Sequence, residues 1–271
     1  MMRLQKCIKY LAMALAILII VSMVNLVIGC FYLVSQVFSL KNVSDEYAIT
    51  ENFTTKNIDI ELKYADLVIQ QGQTLKLTTN KTYVSSEEKD GTLIVKESRR
   101  GWALRKNKSE VLLEIPSDIE YENIKIEAGA GTIIIKSLNT KELSLELGAG
   151  VTTIEDINIK DKCSIESGAG KLTLSGGIIN NLSLDMGIGE ANIEALLTGD
   201  SNIDSGIGKL GLQVLGKEID YKLNISKGIG DITLNGKVVN SDYKTESGKH
   251  SIVVNGDIGL VDISFLEDKE I

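Results

Sequence analysis

Five carboxylates recur at one point of a repeated unit: Glu127, Glu146, Glu166, Asp185 and Asp204. Each stands two residues before a Gly-Ala-Gly or Gly-Ile-Gly tripeptide; Ser226 interrupts the series and Glu246 resumes it. If the repeats stack, the acids form an outward column, and two chemistries are open to it. Several carboxylate oxygens in reach of one another can collect a hard divalent cation such as calcium. Alternatively the acids fan into water as a solvated face that takes counter-ions and nearby lysines. Other chemistry is poorly supplied. His250 is the only histidine, which excludes multi-His metal sites, and it stands in the decayed last corner of the repeat, so His-based catalysis is not expected. Gly206-Ile207-Gly208-Lys209-Leu210-Gly211 has the spacing of a dinucleotide fingerprint, but it is one periodic copy of several and a strand pattern follows it, not a helix. Gly168-Ala169-Gly170-Lys171 lacks the earlier glycine of a phosphate loop, and Leu172 stands where Ser or Thr would hold magnesium. The acids do not follow the nine-residue period of calcium-binding β-rolls. No residue is assigned as catalytic, cofactor-binding or metal-ligating, and no cofactor is expected.

The elements that must position the acids follow from the repeat. The first glycines fall at 129, 148, 168, 187, 206 and 228, giving intervals of 19, 20, 19, 19 and 22 residues. A decayed copy, Gly248-Lys249-His250, follows 20 residues later. A fixed period near 20 indicates a solenoid. Five residues before each first glycine stand Ile124, Leu143, Cys163, Leu182, Ser201, Leu223 and Tyr243; three before it stand Ile126, Leu145, Ile165, Leu184, Ile203, Ile225 and Thr245. Polar residues separate the two sets, so this arm alternates with period two, as a half-buried strand does. A second alternating arm follows the corner, with Ile133, Thr152, Leu172, Ala191, Leu210 and Ile232 inward, then Ile135, Ile154, Leu174, Ile193, Leu212 and Leu234. Each repeat reads as strand, Gly-x-Gly corner, strand and return loop. The residue between the glycines, Ala at 130, 149 and 169 and Ile at 188, 207 and 229, is expected to point inward. One coil cannot bury its apolar face alone, whereas coils stacked as parallel strands can. The expected fold is all-β, a parallel β-solenoid of about 20 residues per coil, right-handed because crossovers between parallel strands nearly always are.

Residues 1–9 read as a short cytoplasmic N-terminus and 10–38 as one transmembrane helix. Tyr10 to Leu40 carries no charge, a run longer than the ~20 residues a membrane helix needs. Arg3, Lys6 and Lys9 precede it, which keeps the N-terminus inside and sends the remainder out. The competing reading is a cleaved signal: Val27-Ile28-Gly29-Cys30 has the form of a lipobox, which would put a lipid on Cys30, but apolar residues continue through Val34. Outside the first 38 residues, 26 basic residues face 37 acidic ones, a net charge of −11 that argues against nucleic acid as a partner. Cys163 is the only cysteine of this part, so no intrachain disulfide forms there, and it reads as a small buried hydrophobe.

Residues 39–56 read as a tether. Residues 57–118 read as a divergent first coil, with Lys63-Tyr64-Ala65 at the corner, and a cap that covers strand edges. Residues 119–266 are the repeat solenoid and 267–271 a polar tail. Within the cap, Arg99 to Lys108 gathers five basic residues around Trp102, the only tryptophan. A solvated hairpin loop accounts for it; the alternative is a contact loop for anionic lipid or wall polymer.

An apolar anchor, a basic Trp-containing loop, a strand ending Glu114-Ile115-Pro116 and then Gly-x-Gly coils together resemble the bacterial putative-adhesin family, over roughly residues 55–265. The resemblance implies a β-solenoid and a domain whose function is largely unknown; members similar to this chain are often associated with envelope-stress or membrane-regulatory systems. The combined expectation is a non-enzymatic, single-pass membrane protein whose extracytoplasmic solenoid acts as an adhesin-like binding or scaffold module at the cell envelope. Its expected partners are the membrane, through the N-terminal helix, and an envelope polymer or membrane protein, with a divalent cation on the acidic column as a further candidate. Two alternatives stay open: a regulatory partner in envelope-stress signalling, and a carbohydrate-active β-helix enzyme. The latter would need carboxylates converging in one cleft, which one acid per coil does not supply.

Overall fold

Parallel pairing between like positions of successive repeats dominates the computed structural model, which describes residues 48–49, 55–80, 83–98, 109–226 and 228–267. The expected membrane helix at 10–38, Cys30, the basic loop with Trp102, and most of the tether and tail lie outside the described residues. No helix among the described residues is long and apolar enough to cross a membrane. Among the described residues all long elements are strands, joined in one 17-stranded sheet.

The central strand, β8, is a single extended run, Tyr121–Asn180, of 60 residues, and it passes through several corners without a break. The next strand, β9 (Leu182–Thr198), pairs with β8 in parallel at one-coil offset: Cys163 with Leu182, Ile165 with Leu184, Glu166 with Asp185, Gly170 with Gly189 and Leu174 with Ile193. The two arms predicted from alternation are therefore present in register, and their inner columns are buried: Leu145, Ile165 and Ile203 are fully enclosed. Burying each such side chain contributes about 1.5–3 kcal/mol.

The expected return loop is instead a third arm. Ile178, Ile179 and Asn180 pair in parallel with Leu196, Leu197 and Thr198, and Leu138, Ile157, Ile159, Ile179 and Leu197 are buried. Ser137 and Asp156, in left-handed conformation at φ 59° and 50°, turn the chain into this arm. Between this coil and the next the ladder slips by one residue between Ser175 and Ile178, at Gly176-Gly177. The third arm escaped the sequence reading because it is too short for period-two alternation to be distinguished from loop composition.

At the C-terminal end the order of coils in space departs from the order in sequence. The coil of β10 (Asp200–Asp204) and β11 (Ile207–Leu215) does not stack on the next coil of the chain, β12 (Tyr221–Ser226) and β13 (Ile229–Leu234). Between them lies the last coil, β16 (His250–Asn255) and β17 (Ile258–Leu266), parallel to both neighbours. The corner of that coil is at Asp257-Ile258-Gly259, where Gly259 pairs with both Gly208 and Gly230. The seventh copy expected at Gly248-Lys249-His250 is thus not a corner of the stack. Ile252 and Val254, not Tyr243 and Thr245, continue the buried columns. The hairpin strand β14 (Lys237–Val239) and the short β15 (Tyr243–Lys244) run antiparallel along the outer coil and cover its edge.

The opposite end uses the same device. Strands β2 (Asn57–Leu62) and β3 (Ala65–Gly72) form a coil flanked on one side by β8 and on the other by β6 (Thr92–Glu97) and β7 (Ser109–Pro116). Antiparallel β5 (Val84–Lys89) covers β6, while β4 (Lys76–Thr79) covers β7 and is itself paired with β1 (Ala48–Ile49). Antiparallel strands at both ends blunt edges that would otherwise template pairing with other chains.

Candidate functional site

The corners bring the acidic column and the glycines together. Backbone lies directly on backbone there: a Cβ built on Gly150 would sit 1.9 Å from the carbonyl oxygen of Gly131, and one on Gly208 would sit 1.8 Å from that of Gly189. Glycine is required by this close approach of neighbouring coils. Side chains must point away, and the residue between the glycines does so. Ala149 and Ala169 are exposed, and Ile188, Ile258 and Ile229 are 44%, 47% and 73% exposed. The expectation that this residue fills the core is corrected. The residue before the first glycine turns toward the core instead: Leu62 and Met186 are buried, and Ala128 and Leu147 pack half-buried against the core.

Ladder registers extend the acidic column and fix its ends. Glu61 pairs with Glu127 on one side and Lys96 on the other; Glu166 pairs with Asp185 and Asp185 with Asp204. Asp204 faces Asn255, and Asn255 faces Ser226. The column therefore begins at Glu61, which the sequence reading did not include, and Glu246 does not belong to it. Glu246 is exposed near β15 with its carboxylate 3.6 Å from Lys244 Nζ. Both termini of the column carry a donor: Lys96 Nζ is 3.3 Å from Glu61 Oε2, and Asn255 Nδ2 donates to Asp204 Oδ1 at 2.5 Å. Lys125 Nζ lies 2.5 Å from Glu127 Oε1 and 3.4 Å from Glu146 Oε1. The hydrogen bond to Glu127 and the charges of both carboxylates raise the Lys125 pKa against the opposing effect of desolvation.

Beside the corners the column forms one wall of a groove of about 610 Å³. Glu61, Glu127, Glu146, Glu166 and Asp185 line it, with Leu147 and the first glycines as its floor. The groove crosses the strands, so an extended ligand lying in it meets one carboxylate per coil, at the ~4.8 Å spacing of paired strands. Among the described residues, no three acidic, histidine or cysteine side chains gather closely enough to hold a metal ion together. Acids fixed one strand apart and pointing outward are arranged for a string of separate ion pairs.

Two buried carboxylates, missed in the sequence, close the corner of the β2–β3 coil. Glu97 Oε2 accepts the backbone N–H groups of Lys63 and Tyr64, both at 2.8 Å, and its Oε1 accepts from the Ser109 hydroxyl at 3.2 Å. Asp66 Oδ1 accepts the Thr132 N–H at 2.6 Å. On the inner side the same corner is closed by backbone, with Ala130 N–H donating to the Lys63 carbonyl at 2.8 Å. Glu97 thus supplies carboxylate oxygens to the corner N–H groups of the β2–β3 coil. The signal available in sequence was an acid at a position where alternation demanded an apolar residue.

The remaining candidates serve the fold. His250 accepts the Gly199 N–H on Nδ1 at 3.0 Å, and its ring centroid is 5.6 Å from that of Tyr221. Cys163 is fully buried, and burial pushes its thiol pKa up to about 12, far from a nucleophile's range.

The model of the Toastrack DUF4097 family matches residues 55–258. Two solved structures are similar. One is a putative cell adhesion protein from Clostridium sporogenes, with 19% identity, 78% of this chain and 94% of that chain covered, and a TM-score of 0.35. The other is a putative adhesin from Bacteroides fragilis, with 11% identity, 81% and 98% covered, and a TM-score of 0.41. No curated protein matches the chain.

Proposed function

The chain belongs to the Toastrack DUF4097 family, a putative-adhesin family of unknown function, and from that premise we propose that it is a non-enzymatic binding module held at the cell membrane. Its ligand is an extended polycation of the envelope, a basic polypeptide segment or an amine-bearing polymer. The observation that carries this reading is the groove along the corners, walled by Glu61, Glu127, Glu146, Glu166 and Asp185. Coulomb attraction between each ligand cation and its carboxylate is about 1 kcal/mol at 4 Å in water, more where the groove sheds solvent, so several pairs in series are needed for useful affinity. A rigid solenoid holds those acids in place before binding, which lowers the ordering cost. The anchor is supported by the uncharged run Tyr10 to Leu40 behind Arg3, Lys6 and Lys9. That arrangement puts residues from about 40 onward outside the cell, and there the domain's net negative charge is available to cationic partners.

Topology and binding are tested separately. Protease added to intact cells removes a C-terminal tag and spares an N-terminal one if the anchor is uncleaved; recovery of an acylated chain beginning at Cys30 would replace the anchor by a lipid. Binding is tested with poly-lysine against an uncharged polymer of similar length. Retention of poly-lysine that is lost with rising salt supports the groove reading, and equal retention of both polymers rejects it.

A further inference from the structure

The last coil, β16 and β17, sits in a slot made by two earlier parts of the chain. On one side it pairs with β10 and β11: Ser201 with Ile252, Ile203 with Val254, Ile207 with Ile258, Leu210 with Val261 and Leu212 with Ile263. On the other it pairs with β12 and β13: Leu223 with Ile252, Ile225 with Val254, Ile229 with Ile258 and Ile232 with Val261. Among the described residues the outer coil has no other parallel partner; its remaining strand neighbours are the antiparallel β14 and β15. Without the last coil, β10–β11 and β12–β13 each present an open parallel edge, and open edges template pairing with any strand of matching pattern. The segment 235–249 that leads into the insert contains no fully buried residue, so a path to a neighbouring molecule need displace only the half-buried Val239 and Tyr243 and the edge pairings of β14 and β15. The insert itself buries Ile252, Val254, Val261 and Ile263 and brings Phe265 to 5.3 Å, centroid to centroid, from Tyr221. An identical insert from a second copy would reproduce every one of these contacts, which is the condition for exchange at low cost.

We propose that the coil 250–266 is an exchangeable insert, and that the slot between β10–β11 and β12–β13 takes the same coil of a second copy to form a reciprocal dimer. Each copy then completes the C-terminal end of the other's stack. Exchange depends on concentration and on conditions that loosen the last coil without unfolding the central ones. The reading stands apart from the groove, since no groove residue takes part.

Ile207 and Ile258 face each other in parallel register at an accessible corner, so their Cα separation is about the strand spacing and within the reach of a disulfide. In the full chain carrying Cys7→Ser and Cys30→Ser, the Ile207→Cys and Ile258→Cys changes are made in separate molecules with tags of different size. The two are refolded together from denaturant in detergent, then oxidised. Exchange predicts a covalent mixed dimer exceeding either same-variant dimer by more than about tenfold, because only the register pair meets disulfide geometry. Monomer alone, or same-variant dimers as abundant as the mixed one, overturns the proposal. Both changes in one molecule, refolded and oxidised at high dilution where exchange is suppressed, check the fold: an intrachain disulfide should form and should abolish mixed dimers when the chain is then concentrated with a tagged unmodified chain. Failure of that intrachain bond, or mixed dimers that persist despite it, also counts against exchange.

Discussion

Asn255 donates its side-chain amide to the Asp204 carboxylate at 2.5 Å, across 51 positions of sequence. The contact exists because the last coil is laid beside β10, and it places an amide next to the final acid of the column. Changing Asn255→Asp replaces a donor by a like charge at strand spacing, where repulsion is about 1 kcal/mol in water. Thermal melts should show a loss of that order at low salt which shrinks at high salt as screening sets in. Asn255→Ser should lose less and show little salt dependence. If the Asp variant melts like the parent at low salt, the two coils are not neighbours.

Leu184 and Ser183 point to opposite sides of β9. Leu184 is buried in the column with Ile165 and Ile203, whereas Ser183 lies between Ser164 and Asn202 on the outer face. Leu184→Asp should cost several kcal/mol because the carboxylate enters an apolar column without a partner. Ser183→Asp should cost less than about 1 kcal/mol, as substitutions on a solvated face usually do. Urea titration of the two variants measures the difference, and similar midpoints would refute the inside–outside assignment.

The glycine corners make a sharper test of stacking. A methyl group on Gly150 would meet the Gly131 carbonyl oxygen at 1.9 Å, and backbone cannot move aside there without shifting a coil. Gly150→Ala should therefore destabilise far beyond the roughly 1 kcal/mol scale of glycine propensity effects. Ala149→Ser, at the exposed position beside it, should be close to neutral.

Alkaline stability follows from buried protons. Burial raises Tyr121 and Tyr221 from 10.0 to about 12 and Cys163 from 9.0 to about 12, with Asp118 and Asp220 adding to the tyrosine shifts. Between the ordinary and raised values the folded chain holds protons that the unfolded chain has lost. The stabilisation is complete below about pH 9 and falls as pH rises toward 12. The melting temperature should fall across that window. Tyr121→Phe should flatten the fall, and since the Tyr121 hydroxyl is buried with no hydrogen-bond partner, it should not cost stability at neutral pH. Tyr221→Phe should flatten the fall as well but cost about 1 kcal/mol at neutral pH, because its hydroxyl donates to the Leu197 carbonyl at 2.9 Å.

The fold was legible where the sequence repeats itself. Alternation around Ile165 and Leu184 gave the inner columns, and the recurrent glycines gave the corners, because parallel stacking imposes the same demand on every coil. Reading the last coil failed because it was sought at a fixed interval, Gly248, while its corner keeps only Ile258-Gly259 and replaces the first glycine by Asp257. Intercalation is a long-range choice that no local period encodes. The direction of Ile188 and Ile229 was misjudged for a local reason: the corner interrupts the two-residue alternation, so inside and outside cannot be counted through it. In the site, the acids from Glu127 to Asp204 were evident, whereas Glu61 and Glu97 were hidden in a coil that lacks the glycine signature.

The most direct test of the groove is calorimetric titration of poly-lysine into the purified chain and into a variant carrying Glu146→Gln, Glu166→Gln and Asp185→Asn. The parent should bind with an affinity that falls as sodium chloride rises, and calcium at equal ionic strength should compete no better than sodium, since the acids do not converge on one ion. The variant should lose most of the binding while melting close to the parent, because the repulsion removed along the column offsets the lost Lys125–Glu146 contact. Undiminished binding by a folded variant would contradict the assignment of the corner groove as the binding surface.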